Sequence, residues 1–382
     1  MLSYCNFAGQ ERISIPMKKN SLLSAALILT LTFTMSLPVS AGGAKEKKAK
    51  NPKNVILLIG DGMGLAQVYA AYTAACGNLN ITSIDHIALV KTNSASNYIT
   101  DSGAGGTAIA CGEKTTNGMI GMTPEKVPLT SILKHASAHK LSTGIVATSD
   151  VTHATPASFV ASVESRKMAE HIAYQYHTSG IDVFIGGGSD HFIRRSDNLN
   201  LFDSLQSRNF QVVQTIPAMM EVKSGRMAAL LYPEHPPKIS EGRGDMLSLS
   251  TDKAISLLSQ NRKGFFLMIE GSQIDWGGHD NNIGYVVNEA LDFDKAVGIA
   301  LDFAKKNGET LVIVTADHET GGLSNLEGDF TTGHAGGKFI TDDHSGIPVP
   351  LFAYGPGSHL FKGLMENTEI FFLAMKALGL NQ

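Results

Sequence analysis

The sequence predicts an α/β fold with a doubly wound, mainly parallel central sheet that is flanked by helices on both faces. Two observations carry this prediction: apolar runs of strand length recur along the chain, and amphipathic helical segments lie between them. Continuous apolar runs suit strands that are covered on both faces, and the alternation of strand and helix favours parallel pairing. A chain of 382 residues has room for one large domain of this kind or two smaller ones.

Four apolar runs are the predicted strands of the sheet, and polar side chains follow each of them. The carboxyl ends of parallel strands meet at one edge of a sheet, where ligands bind in this class of fold. Asp61, Glu270 and Asp317 should therefore gather at that edge, and acids gathered in one place need cations. The predicted strands span residues 54–59, 144–147, 265–269 and 311–314.

One long helix is predicted over residues 282–306. Its apolar side chains from Val287 to Ala304 fall on one face, and Gly308 follows as a stop signal. Residues 180–250 carry a weaker pattern, for which we expect one sheet strand near the start and surface structure after it.

The composition excludes several classes of protein. Hydrophobic residues make up 43% of the chain and charged residues 17%, so the chain is neither disordered nor collagen-like. The formal net charge is -4 at pH 7, which offers no broad cationic surface to nucleic acid. Nucleic acid is therefore not an expected partner.

The amino-terminal segment has the three parts of a secretory signal peptide in order. Lys18 and Lys19 precede a mostly apolar run over residues 22–37, and small residues close the segment at Ala41. We expect cleavage after Ala41, with translation starting at Met17. The apolar run contains Ser and Thr and is shorter than the roughly 20 residues of a membrane helix. The protein is therefore expected to be exported, periplasmic or secreted, without a membrane anchor after cleavage.

The chain then divides into three parts. Residues 1–41 are the expected signal peptide, residues 42–53 a flexible basic leader, and residues 54–382 one folded domain. Cys76 and Cys111 are the cysteines that remain after cleavage. The sequence leaves open whether they form a disulfide or stay as thiols.

Two further pairs of residues have the spacing of metal ligands. Asp275 and His279 are four residues apart, which places them on one side of a helical turn if the segment coils, and Asp317 and His318 are adjacent. A single pair of this kind is more often a helix cap or a core histidine. Imidazole and carboxylate without thiolate, on successive strand ends, instead favour zinc at a site that is open for catalysis.

Ser102 is the candidate nucleophile. Asp101 precedes it and can cap a helix whose amino end then faces Ser102 and a bound anion. The alternative is a plain N-cap beside a glycine-rich loop, and the local sequence does not decide between the two. The segment does not match the Gly-x-Ser-x-Gly elbow, and the chain contains no Walker loop.

Taken together, these residues closely resemble the alkaline phosphatase family. The resemblance runs from about residue 54 to about residue 357, with its blocks in the family's order. Single blocks are weak signals, but the set is specific. The blocks are Gly-Asp61-Gly-Met-Gly, Asp101-Ser102-x-Ala-Gly-Gly-Thr, Thr152-His153-Ala-Thr155-Pro, Ser165-Arg166, Glu270-Gly-x-x-Ile-Asp275-x-x-x-His279, Thr-Ala-Asp317-His318-Glu-Thr-Gly-Gly and His344-Ser-Gly-x-x-Val-Pro.

The resemblance implies a metal-dependent phosphomonoesterase whose catalytic domain is residues 54–382. Small phosphate monoesters would be hydrolysed to an alcohol and inorganic phosphate through a covalent phosphoserine on Ser102, with two zinc ions and one magnesium ion as cofactors. Arg166 would grip the phosphate, and Asp101 would orient that arginine. The resemblance also implies a homodimer.

The same resemblance implies the metal ligands. His344 is preferred to His334 because only His344 precedes the Ser-Gly-x-x-Val-Pro sequence. The implied ligands are Asp275, His279 and His344 for the first zinc, Asp61, Asp317 and His318 for the second zinc, and Asp61, Thr155 and Glu270 for magnesium.

Two residues near the implied magnesium ligands depart from the best-known enterobacterial branch of the family. His153 and Trp276 stand where that branch has Asp and Lys. Imidazole is a good zinc ligand and a poor magnesium ligand. We therefore expect that zinc can replace magnesium at this third site.

Two other functions compete with the phosphomonoesterase. One is a phosphodiesterase or sulfatase of the same superfamily, although the Cys-x-Pro-x-Arg or Ser-x-Pro-x-Arg of sulfatases is absent around Ser102. The other is a non-catalytic protein that binds metal or phosphate on this scaffold. Turnover separates them, because a binding protein would retain phosphate and hydrolyse nothing.

Overall fold

Among residues 51–380, which the computed structural model describes, ten strands form one central sheet. Four further strands of the same residue range form two separate two-stranded ribbons. The expected signal peptide and most of the leader lie outside the described residues. The strands are β1 (Asn54–Gly60), β2 (His86–Lys91), β3 (Ser142–Asp150), β4 (Val183–Gly187), β5 (Phe210–Val213), β6 (Arg226–Leu230), β7 (Phe265–Gly271), β8 (Thr310–Thr315), β9 (Glu319–Thr320), β10 (Ser324–Asp329), β11 (His334–Lys338), β12 (His344–Ser345), β13 (Val349–Tyr354) and β14 (Gly363–Glu366).

The central sheet is mainly parallel, as the sequence predicts. Its strand order is β14-β2-β13-β8-β1-β7-β3-β4-β6-β5. Adjacent strands are parallel except on either side of β13, which runs antiparallel to β2 and β8. The four strands that the sequence predicts are β8, β1, β7 and β3, which lie side by side. Their carboxyl ends therefore form one continuous edge.

Helices cover the central strands and bury them. Every residue of β1, β7 and β8 is buried, which explains why these strands are continuous apolar runs in the sequence. The helices are α1 (Leu65–Ala74), α2 (Ser102–Cys111), α3 (Ile132–Ala138), α4 (Ala154–Val160), α5 (Ala169–Tyr176), α6 (Asp190–Ile193), α7 (Leu201–Gln206), α8 (Ile216–Glu221), α9 (Met246–Leu258), α10 (Gln273–His279), α11 (Ile283–Asn307) and α12 (Asn367–Leu378).

Two groups of helices pack on the central strands. α9 and α11 pack against each other and against β7, while α2, α3, α4 and α12 form a second group, of which α3 and α4 also contact β7. Cys111 lies in α2 as a buried free thiol. Within residues 51–380, no helix combines the length and the apolar character that a membrane crossing requires.

The long helix α11 begins and ends where the sequence predicts. The Asn282 side chain accepts a hydrogen bond from the Tyr285 N–H over 3.0 Å and so caps the amino end. Gly308 closes the carboxyl end with φ of 66°, a left-handed conformation that favours glycine. Val286, Phe293 and other apolar side chains on one face of the helix are buried.

The expectation for residues 180–250 is wrong in one respect. The first strand is present as β4, but the segment also supplies β5 and β6, with β6 between β4 and β5 at the edge of the sheet. β5 has four residues and β6 contains two alanines, which are depleted in strands. The local pattern is therefore too weak to predict these strands, and the pairing of β6 with β4 and of β5 with β6 supplies the missing stability.

Candidate active site

Asp61, Glu270 and Asp317 lie at the carboxyl edge of the sheet, where the sequence predicts them. They follow or end the neighbouring strands β1, β7 and β8, and all three side chains are fully buried. The Asp61 N–H donates to the Gly271 carbonyl over 3.2 Å, and the Gly62 N–H donates to Asp317 Oδ1 over 3.3 Å. These bonds fix the turn after β1 against both neighbouring strands.

The first candidate cation site consists of Asp275, His279 and His344, whose ligand atoms lie within 4.8 Å of one another. His279 Nδ1 donates to the Asp342 carbonyl over 2.6 Å, and His344 Nδ1 donates to the Thr100 carbonyl over 2.9 Å. Since Nδ1 carries the proton of each neutral ring, the two Nε2 atoms, 3.2 Å apart, are the atoms that can offer lone pairs to a cation. Asp275 Oδ2 lies 3.3 Å from His279 Nε2. Acceptors that face one another in this way fit a zinc ion.

The second candidate cation site consists of Asp61, Asp317 and His318, all fully buried. His318 Nε2 lies 3.3 Å from Asp61 Oδ1 and 3.5 Å from Asp317 Oδ2. Both of those carboxylate oxygens are buried without a hydrogen-bond partner. The Ser102 hydroxyl lies 3.2 Å from His318 Nε2. The candidate nucleophile is therefore next to this site.

The third candidate cation site brings together two of the implied magnesium ligands and a histidine. Asp61, Glu270 and His153 have ligand atoms within 4.8 Å of one another. Thr155 lies beside the group, where its hydroxyl donates to Asp61 Oδ2 over 3.3 Å. Glu270 Oε1 and His153 Nδ1 are both buried without a hydrogen-bond partner. The structure therefore places the His153 imidazole beside Asp61 and Glu270, within reach of a cation at the third site.

The electrostatics of the three groups call for cations. Burial raises the pKa of Asp317 to about 8 and that of Glu270 to about 7, with further increases from neighbouring carboxylates. Burial and the carboxylates of its neighbours raise the pKa of Asp61 in the same direction. The hydrogen bond with Asp275 raises the pKa of His279 to about 9. Without metal these groups would hold protons, whereas bound cations would let the carboxylates ionise together.

Ser102 begins helix α2, and Asp101 caps it, as the sequence predicts. Asp101 Oδ1 accepts a hydrogen bond from the Ala104 N–H over 3.0 Å. Ser102 is almost fully buried against the second cation site. A Cβ atom at position 105 would lie 2.9 Å from the Asp317 carbonyl oxygen, so Gly105 lets the helix approach the strand end closely.

The Arg166 side chain lies beside the start of helix α2, where Asp101 holds it by a hydrogen bond. Arg166 Nη1 donates to Asp101 Oδ2 over 3.0 Å, and Nη2 donates to His153 Nε2 over 3.2 Å. The Gly118 N–H donates to both carboxylate oxygens of Asp101, each over 3.0 Å. The orientation of Arg166 by Asp101 that the family resemblance implies is therefore consistent with this geometry.

Two aromatic rings, those of Trp276 and His235, pack next to His153, and the sequence did not indicate His235 as a site residue. Trp276 lies 6.3 Å from the His153 ring in a T-shaped contact, and His235 lies 4.9 Å from Trp276. His235 Nδ1 accepts a hydrogen bond from the Asp150 N–H over 2.9 Å. His235 lies in the 180–250 segment, whose sequence pattern carried no signal for a site residue.

Thr320 links the two candidate zinc sites and was also missed. Its hydroxyl lies 2.5 Å from Asp275 Oδ1 and 3.2 Å from His318 Nδ1. The only available signal was its place two residues after His318 in the family block.

His334, the alternative to His344, is exposed on β11 with Glu327 as its neighbour.

Comparisons with known proteins agree with this geometry. Residues 52–336 match the family model described as alkaline phosphatase. Alkaline phosphatase 4 of Bacillus subtilis (strain 168) is 32% identical, over 95% of this chain and 96% of the relative. The solved structure of alkaline phosphatase from the Antarctic bacterium TAB5 is 44% identical, with a TM-score of 0.84 over 87% of this chain and 100% of that chain. A TAB5 variant with a histidine replaced by glutamate, solved with Mg bound in its M3 site, is 43% identical, with a TM-score of 0.83 over 88% of this chain and 100% of that chain.

Proposed function

Since this chain belongs to the alkaline phosphatase family and is a phosphomonoester hydrolase, we propose that Ser102 is its nucleophile and forms a covalent phosphoserine during turnover. One observation carries the proposal: the Ser102 hydroxyl lies 3.2 Å from His318 Nε2, at the amino end of α2 and next to a candidate metal site. Arg166 is held close to Ser102 by its hydrogen bond to Asp101, the residue before Ser102.

The donor sets support two zinc ions, at the first and second candidate cation sites. Both sets combine imidazole with carboxylate and contain no thiolate, which is typical of catalytic zinc. Asp275, His279 and His344 would hold one ion, and Asp61, Asp317 and His318 would hold the other. When bound, such a pair of cations stabilises the attacking and leaving oxygens of an in-line displacement.

The chain's own residues supply the remaining parts of the reaction. Arg166 presents a planar fork of donors that matches two phosphate oxygens, and Asp101 holds the fork in place. The amino end of α2 directs backbone N–H groups at the same anion. Ser102 Oγ forms the bond to phosphorus as the ester oxygen leaves with the alcohol. Water then breaks the Ser102 phosphoester, which restores the hydroxyl and releases inorganic phosphate.

The first expected result concerns the class of substrate. The metal-loaded chain should hydrolyse an aryl phosphate monoester with a kcat/KM at least about 100-fold above that of the matching diester or sulfate. The monoester dianion brings two negative charges to the Arg166 fork and the metals, whereas the diester and the sulfate bring one each, and charge-assisted contacts to them are weaker. Steady-state kinetics on the three aryl esters measures the ratio. If the diester or the sulfate were turned over faster than the monoester, the chain would be a phosphodiesterase or a sulfatase instead.

For the third site we propose a divalent cation held by Asp61 and Glu270, with Thr155 and His153 beside them. Because imidazole favours zinc over magnesium, zinc should compete effectively there. The similar TAB5 structure with Mg in its M3 site carries a carboxylate in place of a histidine, which supports an effect of such a side chain on metal choice.

The second expected result follows for His153→Asp. A carboxylate in place of the imidazole should shift the third site towards magnesium by about tenfold or more in relative affinity, on the scale of ligand changes in metal sites. Metal analysis after equilibration with both ions at fixed ratios measures the shift. His171→Asp, at an exposed histidine outside the three sites, is the control. Equal magnesium occupancy in the His153 variant and the native chain would contradict the assignment.

We also propose a homodimer, supported by an exposed apolar patch on the outer strands. Ile87 and Leu89 on β2 are 55% and 42% exposed, and Leu364 on β14, which pairs with Leu89, is 62% exposed. Contiguous apolar surface of this kind marks an interaction site.

The third expected result tests that patch. Leu89→Asp should convert the dimer into a monomer, because a charge would be buried at the contact. Light scattering during size-exclusion chromatography gives the mass of each species. Leu326→Asp, at a residue that is 61% exposed on the separate ribbon of β10, is the matched control. A native chain that elutes as a monomer would contradict the proposal.

Export remains a proposal as well. The three parts of a signal peptide lie in residues 1–41, outside the described residues, and cleavage after Ala41 is the expected processing step.

A further inference from the structure

Glu319 is a buried carboxylate that none of the roles above uses. Its side chain is 2% exposed. Oε1 accepts hydrogen bonds from Gln67 Nε2 over 2.7 Å and from the Leu323 N–H over 3.2 Å. Oε2 accepts from the Gly322 N–H over 3.1 Å and from the Ser345 hydroxyl. All four donors are neutral, so this carboxylate is held by oriented dipoles rather than by an ion pair.

These four bonds tie three segments of the chain to the two carboxylate oxygens of Glu319. Gln67 belongs to α1, Gly322 and Leu323 form the turn after β9, and Ser345 belongs to β12. In the β9–β12 ribbon, Ser345 lies opposite Glu319. Each partner in that pair directly follows a candidate zinc ligand along the chain, because Glu319 follows His318 and Ser345 follows His344. Glu319 therefore lies between the segments that present these two imidazoles.

The two imidazoles are reached by different routes along the chain. His318 follows the buried central strand β8, whereas His344 comes after an excursion away from the site, five residues before the buried strand β13 begins, with its Nδ1 bonded to the Thr100 carbonyl. The excursion contains the β10–β11 hairpin, whose residues are mostly exposed or half-buried. Closing such a loop costs entropy that local bonds must offset. The position of His344 thus depends on contacts across the β9–β12 ribbon, among them the bond from the Gly321 N–H to the Asp343 carbonyl, 2.9 Å long.

We propose that Glu319 is a positioning residue for His344 and so fixes the geometry of the first zinc site. It does this by holding Ser345, and with it the returning segment, against the turn that follows His318. The inference rests on the proposed function in one respect, that His344 is a zinc ligand. It adds a residue that contacts neither the metal nor the substrate.

Glutamine cannot replace Glu319 without loss, although it has nearly the same shape. Each carboxylate oxygen accepts one bond from a backbone N–H, from Leu323 on one side and Gly322 on the other. A backbone N–H cannot reverse its polarity. Whichever way the amide of a glutamine turned, its NH₂ group would face one of these donors and leave it unsatisfied.

The test compares zinc binding by Glu319→Gln, Ser345→Ala and a matched control. Asp294→Asn is the control, because Asp294 is also a buried carboxylate that accepts bonds from neutral donors, the Asn80 and Ile81 N–H groups, each over 2.9 Å. Those donors belong to a segment that supplies no ligand to the three cation sites. Zinc affinity is measured by competition of the metal-depleted chain against a chromogenic chelator, and thermal melting is measured in parallel.

For Glu319→Gln we expect the affinity of one of the two zinc ions, the one at the first candidate cation site, to fall by about 10- to 100-fold, the range for residues that orient metal ligands. Ser345→Ala should lower it in the same direction by less, and the double variant should lose less than the sum of the two single effects, because both remove the same link. Asp294→Asn should lower the melting temperature while zinc affinity stays within twofold.

Two outcomes would overturn the inference. One is a Glu319→Gln variant whose zinc affinity stays within twofold of the native chain while its melting temperature falls as in the control. The other is strict additivity of the Glu319 and Ser345 variants. If instead the native chain itself binds fewer than two zinc ions, the proposed function fails first, and the native measurement made alongside the variants identifies that case.

Discussion

Replacing Ser102 with alanine is expected to lower kcat for an aryl phosphate by at least about 10³-fold, as loss of a covalent nucleophile does in other hydrolases. The hydroxyl lies 3.2 Å from His318 Nε2 and is almost fully buried, and alanine supplies no nucleophile in its place. Both candidate zinc sites keep all their ligands in the variant, and metal content should therefore be unchanged. Steady-state kinetics and metal analysis on the same sample measure the two quantities.

Ser158→Ala is the matched control for that variant. Ser158 is also buried, its hydroxyl donates to the Ala154 carbonyl over 2.9 Å, and it packs close to α2. Its loss should change kcat by less than about tenfold, because the hydroxyl bonds only to neutral groups, the Ala154 and Gly103 carbonyls and the Thr107 hydroxyl. A Ser102→Ala variant that kept more than a tenth of the native turnover would rule out Ser102 as the nucleophile.

Removal of the bound metals should abolish turnover and also lower the melting temperature by on the order of 10 °C at pH 8.5, since ligands that bind only the folded state stabilise it by mass action. The size of this effect should depend on pH. In the metal-free chain the pKa of Glu270 is raised to about 7 and that of Asp317 to about 8, through burial and neighbouring carboxylates. Both groups must lose their protons for a cation to be held well.

The sign of the pH dependence follows from these raised values. A carboxyl group with a raised pKa in the folded state stabilises the fold fully below its unfolded pKa, and the contribution is lost as pH rises through the folded pKa. The lowered pKa values of the buried His153 and His318 act in the opposite direction below about pH 6.5, so the metal-free chain should lose stability between about pH 6.5 and pH 8. The raised pKa of His279, about 9, acts in the same direction. The gap between the melting temperatures of metal-loaded and chelated protein should widen from pH 6 to pH 8.5.

Thermal melting of both forms at the two pH values tests this expectation, with zinc added back to the chelated sample as the control. Recovery of the original melting temperature would show that chelation did not damage the chain. A gap that narrows as pH rises, or melting temperatures that coincide at pH 8.5, would contradict the assignment of the buried carboxylates as metal ligands.

The parts of the fold that the sequence predicts are those whose signals are local. β1 and β7 are continuous apolar runs because both of their faces are covered, and α11 carries an Asn cap and a Gly stop at its ends. The site follows from the same logic. Once the strands are parallel neighbours, the acids that follow them must meet at one edge, and Asp61 and Asp317 do.

The parts that were not predicted depend on contacts between distant segments. β6 is a short run whose identity as a strand comes from pairing with β4 and β5. Only the family resemblance placed His153 near the third cation site, because no spacing in the sequence records that the start of α4 meets Asp61 and Glu270 there. Glu319 likewise acts through Ser345, which is distant in the chain. Hydrogen bonds of this kind leave no periodic pattern.

The most direct test of the account is to locate the phosphoryl group during turnover. Metal-loaded protein would be mixed with a phosphate monoester, quenched in acid and digested, and the peptides analysed by mass spectrometry. The account predicts a phosphoryl group on Ser102 that is absent from chelated protein and from the Ser102→Ala variant. Turnover accompanied by a phosphoryl group on a different residue, or turnover at the native rate in the Ser102→Ala variant, would contradict it.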